Sequence, residues 1–151
     1  MFDLRHAPGA QWKLLQVRQL RECKRMAPTE PAHWEKLSSI ISGCGLLPVR
    51  CETLAAATNI TAQQLFELAI CDDQLPDGNF RELITRLGRS RHCTPVIVVS
   101  RFDDWGSYLQ AMIGGAFDYV AFPPYPQEME RAVTAALAES QANRNAAVTA
   151  A

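Results

Sequence analysis

The sequence predicts a single α/β domain built on a parallel sheet with helices on both faces. Three observations carry this. Short apolar runs of strand length stand at 46–51, 67–71, 95–100 and 117–122. Between them lie segments with apolar residues at helical spacing, each of ordinary crossover length. The run "PVIVVS" at 95–100 is an almost unbroken β-branched stretch, as expected for a strand covered on both faces.

Length and composition agree with that class. A chain of 151 residues, 48% hydrophobic and 21% charged, can bury a core without staples. No run approaches the ~20 apolar residues of a membrane span, and "MFDLRHAPGAQWKLL" has no apolar block of signal-peptide length. A cytoplasmic protein with no membrane partner is expected. The five cysteines (Cys23, Cys44, Cys51, Cys71 and Cys93) form no C-x-x-C pair and have no histidine cluster beside them. They are read as reduced, mostly buried small apolar residues rather than disulfides or zinc ligands.

The elements follow in order. Residues 28–45 carry helix punctuation: Thr29 as cap, Glu30 and Pro31 in the first turn, Gly43 or Gly45 at the end. "LLPVRC" (46–51) is a short strand, and 53–65 is a weak helix interrupted by Thr58 and Asn59. "ELAIC" (67–71) is the next strand. Residues 79–88 form a helix with Phe80, Leu83, Ile84 and Leu87 on one face, Asn79 as cap and Gly88 as stop. After the strand 95–100 comes a helix at 103–115, capped by Asp103 or Asp104. A strand at 117–122 and a closing helix at 126–140 complete the order.

The opening strand is the difficulty. A strand at Cys23–Ala27, or a degenerate one, would place basic residues in a sheet centre at high cost. Residues 12–26 also fit a helix. The expected organisation is therefore a basic extension at 1–22, a domain at 23–140 and a flexible tail at 141–151. Residues 1–26 hold Arg5, Lys13, Arg18, Arg21, Lys24 and Arg25 against Asp3 and Glu22. That excess is read as a solvated face; nucleic-acid binding is the disfavoured alternative, since Trp12 is the one aromatic residue interleaved with the basic ones.

The stretch "FELAICDDQLPDGNF" (66–80) ends an apolar run in two adjacent carboxylates and a Pro/Gly turn. Acids at the C-terminal tip of a parallel strand stand where sites are built in open α/β sheets, although acids with Pro and Gly are also ordinary turn chemistry. "CDDQLPDG", Ser100 at the end of "PVIVVS" and "GGAFDYVAFPP" occur in order and at matching spacing over roughly 28–140. With these motifs the chain resembles the receiver domains of bacterial response regulators.

The resemblance implies a flavodoxin-like (βα)5 fold: a doubly wound, five-stranded parallel sheet in three α/β/α layers, with an atypical first strand. It places Asp72 at the phosphoacceptor position and Ser100 at the switch hydroxyl. Tyr119 takes the aromatic switch position, Phe122 the position of the family's lysine, and Phe122–Pro123 a bond that is often cis in the family. Aspartyl phosphorylation needs a carboxylate nucleophile, an oxygen-ligated Mg²⁺ and a cation for the developing charge. The family's metal-binding acids are matched here to "MAPTEP" (26–31), where Ala27, Pro28 and Thr29 stand and Glu30 falls inside the helix. Asp72 and Asp73 are the remaining candidate metal ligands. Phe122 removes the charge of the lysine and fills its room; Arg101 and the scattered histidines are read as solvated.

The expected protein is thus a stand-alone pseudo-receiver in bacterial signal transduction, acting by protein contact, with no enzymatic activity and no cofactor. Its partner would be a histidine kinase or another signalling protein, or a second copy of the chain. Phe102, Trp105, Tyr108 and Tyr125 are the candidate anchors, because aromatic residues are enriched at binding hot spots. The alternative is a functional phospho-receiver taking phosphate on Asp72 with Mg²⁺. An FMN-binding flavodoxin is disfavoured, since "APTEPAHW" offers one threonine and no glycine for a phosphate loop.

Overall fold

The computed structural model describes residues 12–17, 39, 41–43, 45–89, 93–100, 104–121 and 125–149. Seven strands and four complete helices run in the order β1 (Trp12–Val17), β2 (Leu46–Cys51), α1 (Leu54–Gln63), β3 (Leu68–Asp72), β4 (Gln74–Leu75), β5 (Gly78–Asn79), α2 (Phe80–Gly88), β6 (Val96–Ser100), α3 (Trp105–Ile113), β7 (Asp118–Ala121) and α4 (Pro126–Thr149). Five strands form one sheet in the order β2-β1-β3-β6-β7, every pair parallel. Counting only these five, the order is 2-1-3-4-5, the flavodoxin-like doubly wound arrangement. The chain reverses its direction of winding at β1/β3, so the C-terminal tips there border a crevice.

The core lies on both faces of the sheet because side chains alternate along each strand. Ala69 and Cys71 of β3, with Val96 and Val98 of β6, face Leu54, Ala57, Phe80, Leu83, Leu87 and Ala111 on α1, α2 and α3. Leu68, Ile70, Ile97, Val99 and Val120 face the other way, against Ile41, Met129, Val133 and Leu137. Two apolar faces explain why β3 and β6 read as continuous hydrophobic runs.

Local signals set the helix starts. Thr53 accepts from the Ala56 amide at 3.1 Å at the head of α1. Asn79 accepts from the amides of Arg81 (3.0 Å) and Glu82 (3.4 Å) at the head of α2. Asp104 caps α3 through the Ser107 amide at 2.8 Å, which decides between the two aspartates of that segment. Thr58 and Asn59 do not interrupt α1, which is unbroken; the hydroxyls of Thr58 and Thr61 donate back to the Leu54 and Ala57 carbonyls at 2.8 Å.

Three expectations are corrected. Among the described residues the first strand is "WKLLQV" at 12–17, where a helix was the other reading; the strand expected at 23–27 lies outside the described residues. It lies between β2 and β3, with Trp12 opposite Leu46 and Leu14 opposite Leu68. A central position satisfies its backbone on both sides, and it carries one basic residue, Lys13, where 23–27 would carry two, Lys24 and Arg25. The cost of charges in the sheet centre is correspondingly lower. Accordingly the domain includes residues 12–17, which the division at 22/23 had assigned to an extension. Residues 141–149 are not a loose tail but the last turns of α4. There the Asn143 side chain donates to the Cys93 carbonyl at 2.9 Å, and Arg144 pairs with the buried Glu67. The expected helix from 28 lies outside the described residues except near its end, where 39 and 41–43 are helical and Gly45 is in a turn.

Candidate functional site

Asp72 and Ser100 end neighbouring strands at the C-terminal edge of the sheet, with Asp72 in register with Val99. The placement expected from the sequence therefore holds for this pair. Tyr119 lies one strand further out, opposite Val98, and Ala121 ends β7 opposite Ser100. Phe122 is the next residue in the chain. Phe122, Pro123, Phe102 and Arg101 lie outside the described residues.

The Ser100 hydroxyl, 2% exposed, donates to Asp73 Oδ2 at 3.0 Å. Asp73 also donates its amide to the Val99 carbonyl at 3.2 Å, and its Oδ1 accepts from the Gln74 amide at 3.0 Å. Sequence reasoning gave Asp73 only the role of a stray metal ligand. The signal was present in the two-residue alternation: Asp73 continues the side of Ala69 and Cys71, and Ser100 the side of Val96 and Val98. Asp72 continues the side of Leu68 and Ile70 and is half-buried.

The loop that leaves the site is fastened at its far end. Gln74 and Leu75 pair antiparallel with Asn79 and Gly78 in a small hairpin. Within it, Asp77 Oδ1 accepts from the Leu54 amide (2.7 Å) and Oδ2 from the Ala55 amide (2.9 Å), so one carboxylate caps the start of α1 from a different part of the chain. These two hydrogen bonds hold the Asp77 carboxyl below the ordinary carboxylate value. Hairpin and helix meet closely: a Cβ on Gly78 would stand 2.8 Å from Leu54 Cδ2.

Among the described residues the donor set fits a magnesium ion poorly. Mg²⁺ favours octahedral oxygen ligation and is reluctant to dehydrate. Among the described residues the two carboxylates at this edge are Asp72 and Asp73, and both Asp73 oxygens already accept hydrogen bonds. Among the described residues no group of three His, Cys, Asp or Glu comes together. The structure also moves the place where the resemblance expects the metal-binding acids. β1 ends at Val17, and the residues that follow it are Arg18 and Gln19, not the 27–29 segment.

A second feature lies on α3, which carries no charged residue. Trp105 is 71% exposed, Ile113 85% and Tyr125, just before α4, 77%. Leu109 is exposed too. Tyr108 is half-buried instead: it stacks on Trp105 with centroids 5.3 Å apart and meets Tyr119 edge-on at 6.2 Å. Of the expected anchors, Trp105 and Tyr125 are exposed and Tyr108 links the surface to Tyr119. Leu109 and Ile113 were missed, although their i, i+4, i+8 spacing from Trp105 was visible.

No protein-family model matches the chain. Over 67 residues it is 30% identical to the response regulator protein PilR of Pseudomonas aeruginosa, a match covering 44% of this chain and 15% of PilR. Solved structures align along most of the domain. The signal receiver domain of an HD domain-containing protein from Pseudomonas fluorescens Pf-5 matches at a TM-score of 0.72 and 18% identity, over 93% of this chain and 98% of that one. A CheY-like response regulator receiver domain protein from Methanospirillum hungatei JF-1 matches at 0.67 and 19%, over 87% and 98%. The BeF3-activated receiver domain of DrrB, a Thermotoga maritima protein, matches at 0.64 and 23%, over 85% and 99%. The chain has the fold of response-regulator receiver domains. The chain spans a small part of PilR and nearly the whole of the solved receiver domains.

Proposed function

We propose that this chain is a receiver-like module of two-component signalling that works by protein contact without depending on phosphoryl transfer. The observation that carries this reading is the composition around Asp72. The acid stands at the expected tip beside Ser100, yet Arg18 and Gln19 follow β1 and Phe122 follows β7. The first departure withholds metal-binding carboxylates, and the second withholds a cation for the developing anion. Loss of one such positioned group typically lowers a rate by ~10²–10³. In this reading the chain has no catalytic activity and no cofactor, and it acts in the cytoplasm. Among the described residues no helix is long and apolar enough to cross a membrane.

The contact surface is the uncharged face of α3 with Tyr125. Its occupant is a signalling protein, with a second copy of the chain as the competing case. Incubation with a small acyl phosphate and Mg²⁺, followed by intact mass, tests the reading. An unchanged mass is expected. One added phosphoryl group, absent in Asp72→Ala, would establish the phospho-receiver alternative in its place.

A further inference from the structure

We infer that Asp73 is an internal anion that engages the Ser100 hydroxyl, fastening the tip of β3 to the tip of β6 and holding the 73–79 loop in one arrangement. The inference rests on the receiver-like reading and concerns how the same edge of the sheet is regulated.

The argument begins with the hydroxyl. Serine has one O–H to donate, and at 2% exposure it has little water to donate to. Its proton goes to Asp73 Oδ2 at 3.0 Å. A hydrogen bond to a carboxylate is stronger than a neutral one, more so away from solvent. While this bond holds, the Ser100 hydroxyl cannot donate to any group carried by Asp72. Its position is already served by a negative charge that belongs to the chain.

The remaining contacts carry the constraint along the loop. The Asp73 amide extends the β3–β6 pairing by donating to the Val99 carbonyl. The adjoining hairpin returns the chain to Asn79, which caps α2. At the hairpin turn, Asp77 grips the first two amides of α1. Two aspartates thus bind the loop at opposite ends, one to β6 and one to α1. A loop held in this way presents one conformation to a partner, and the signal it conveys is the presence of the protein rather than its modification.

Hydrogen exchange of the full chain, resolved by peptide, tests the tie. In Asp73→Ala, amides of 73–79 and 96–100 should exchange roughly tenfold to hundredfold faster, the loss expected for one hydrogen bond to a charged group. Amides of 129–137 in α4 should be unchanged. Ser100→Ala should reproduce the pattern, Ser100→Thr should retain protection, and the Asp73→Ala/Ser100→Ala pair should exchange no faster than either single variant. Unchanged exchange at 73–79, uniform acceleration of the whole chain, or additive effects in the pair would each overturn the inference.

Exchange of the wild-type chain before and after the acyl phosphate separates this inference from the functional reading. Added phosphate with unaltered protection at 73–79 and 96–100 overturns the phosphate-independent reading and supports the tie. Added phosphate with altered protection there overturns both. An unchanged mass together with no effect of Asp73→Ala leaves the functional reading standing and removes the tie.

Discussion

At the residue scale, Asp77 shows how a single side chain joins distant parts of the chain. It lies 23 residues from Leu54, yet it supplies an oxygen to each of the first two amides of α1. Those amides have no partner within the helix, and a negative charge at this end is favoured. A carboxyl held below its ordinary value of 3.8 binds a proton less readily when folded than when unfolded. Its contribution to stability is therefore complete above that value and is lost as the pH falls through the lower folded value. We predict that Asp77→Asn makes the thermal midpoint fall less steeply with pH on the acid side. Midpoints measured from neutral pH downward in both proteins check this; parallel curves would refute it. The group is solvent-exposed, so the effect is small and weakens with added salt.

At the element scale, α4 is the longest helix described, and its end behaves differently from its beginning. Its first turns bury Met129, Val133 and Leu137 against one face of the sheet. Its last turns reach the N-terminal edge, where Arg144 meets Glu67 and Asn143 meets Cys93. Glu67 is 6% exposed, so the guanidinium above it matters. We predict that Arg144→Ala destabilises the fold by about 1–3 kcal/mol, the cost of withdrawing a partner from a buried acceptor. Denaturant unfolding checks this, and no change in midpoint would show that the pair contributes nothing.

The two faces of the sheet give a further test at this scale. Leu83 and Leu137 are both essentially inaccessible and belong to different core clusters. Truncation of either to alanine should cost about 2–5 kcal/mol. The costs should add in the double variant if it remains folded, since the residues share no cluster.

At the scale of the whole molecule, the question is which surface the fold leaves for a partner. The uncharged α3 exposes Trp105, Leu109 and Ile113 while burying only Ala111. In the proposed reading this apolar face is the contact surface. Trp105→Ala and Ile113→Ser should leave folding stability within about 0.5 kcal/mol, as surface substitutions do. They should weaken self-association or capture of a signalling partner. Sedimentation velocity across a concentration series, with the unfolding midpoint measured alongside, separates the two effects. An assembly state unchanged by both substitutions, together with unchanged partner capture, would remove this face from the proposal.

The order of elements was legible from the sequence alone because its signals are local. β-branched runs, helical periodicity and caps such as Asn79 act over a few residues, and they placed β2, β3, β6, β7 and the helices between them. The tip carrying Asp72 and Ser100 was legible for the same reason: a strand's end is marked by the turn residues that follow it. Tertiary structure alone decided the rest. "WKLLQV" is a strand because β2 and β3 flank it, and no local pattern within 12–26 states that. The end of α4 is held by Glu67 and Cys93, both more than 45 residues away. Asp73 rather than Asp72 receives the Ser100 proton because cross-strand register and side-chain alternation determine which of two adjacent carboxylates shares a face with the hydroxyl. Those are relations between strands, and a single strand's sequence does not contain its neighbour's register.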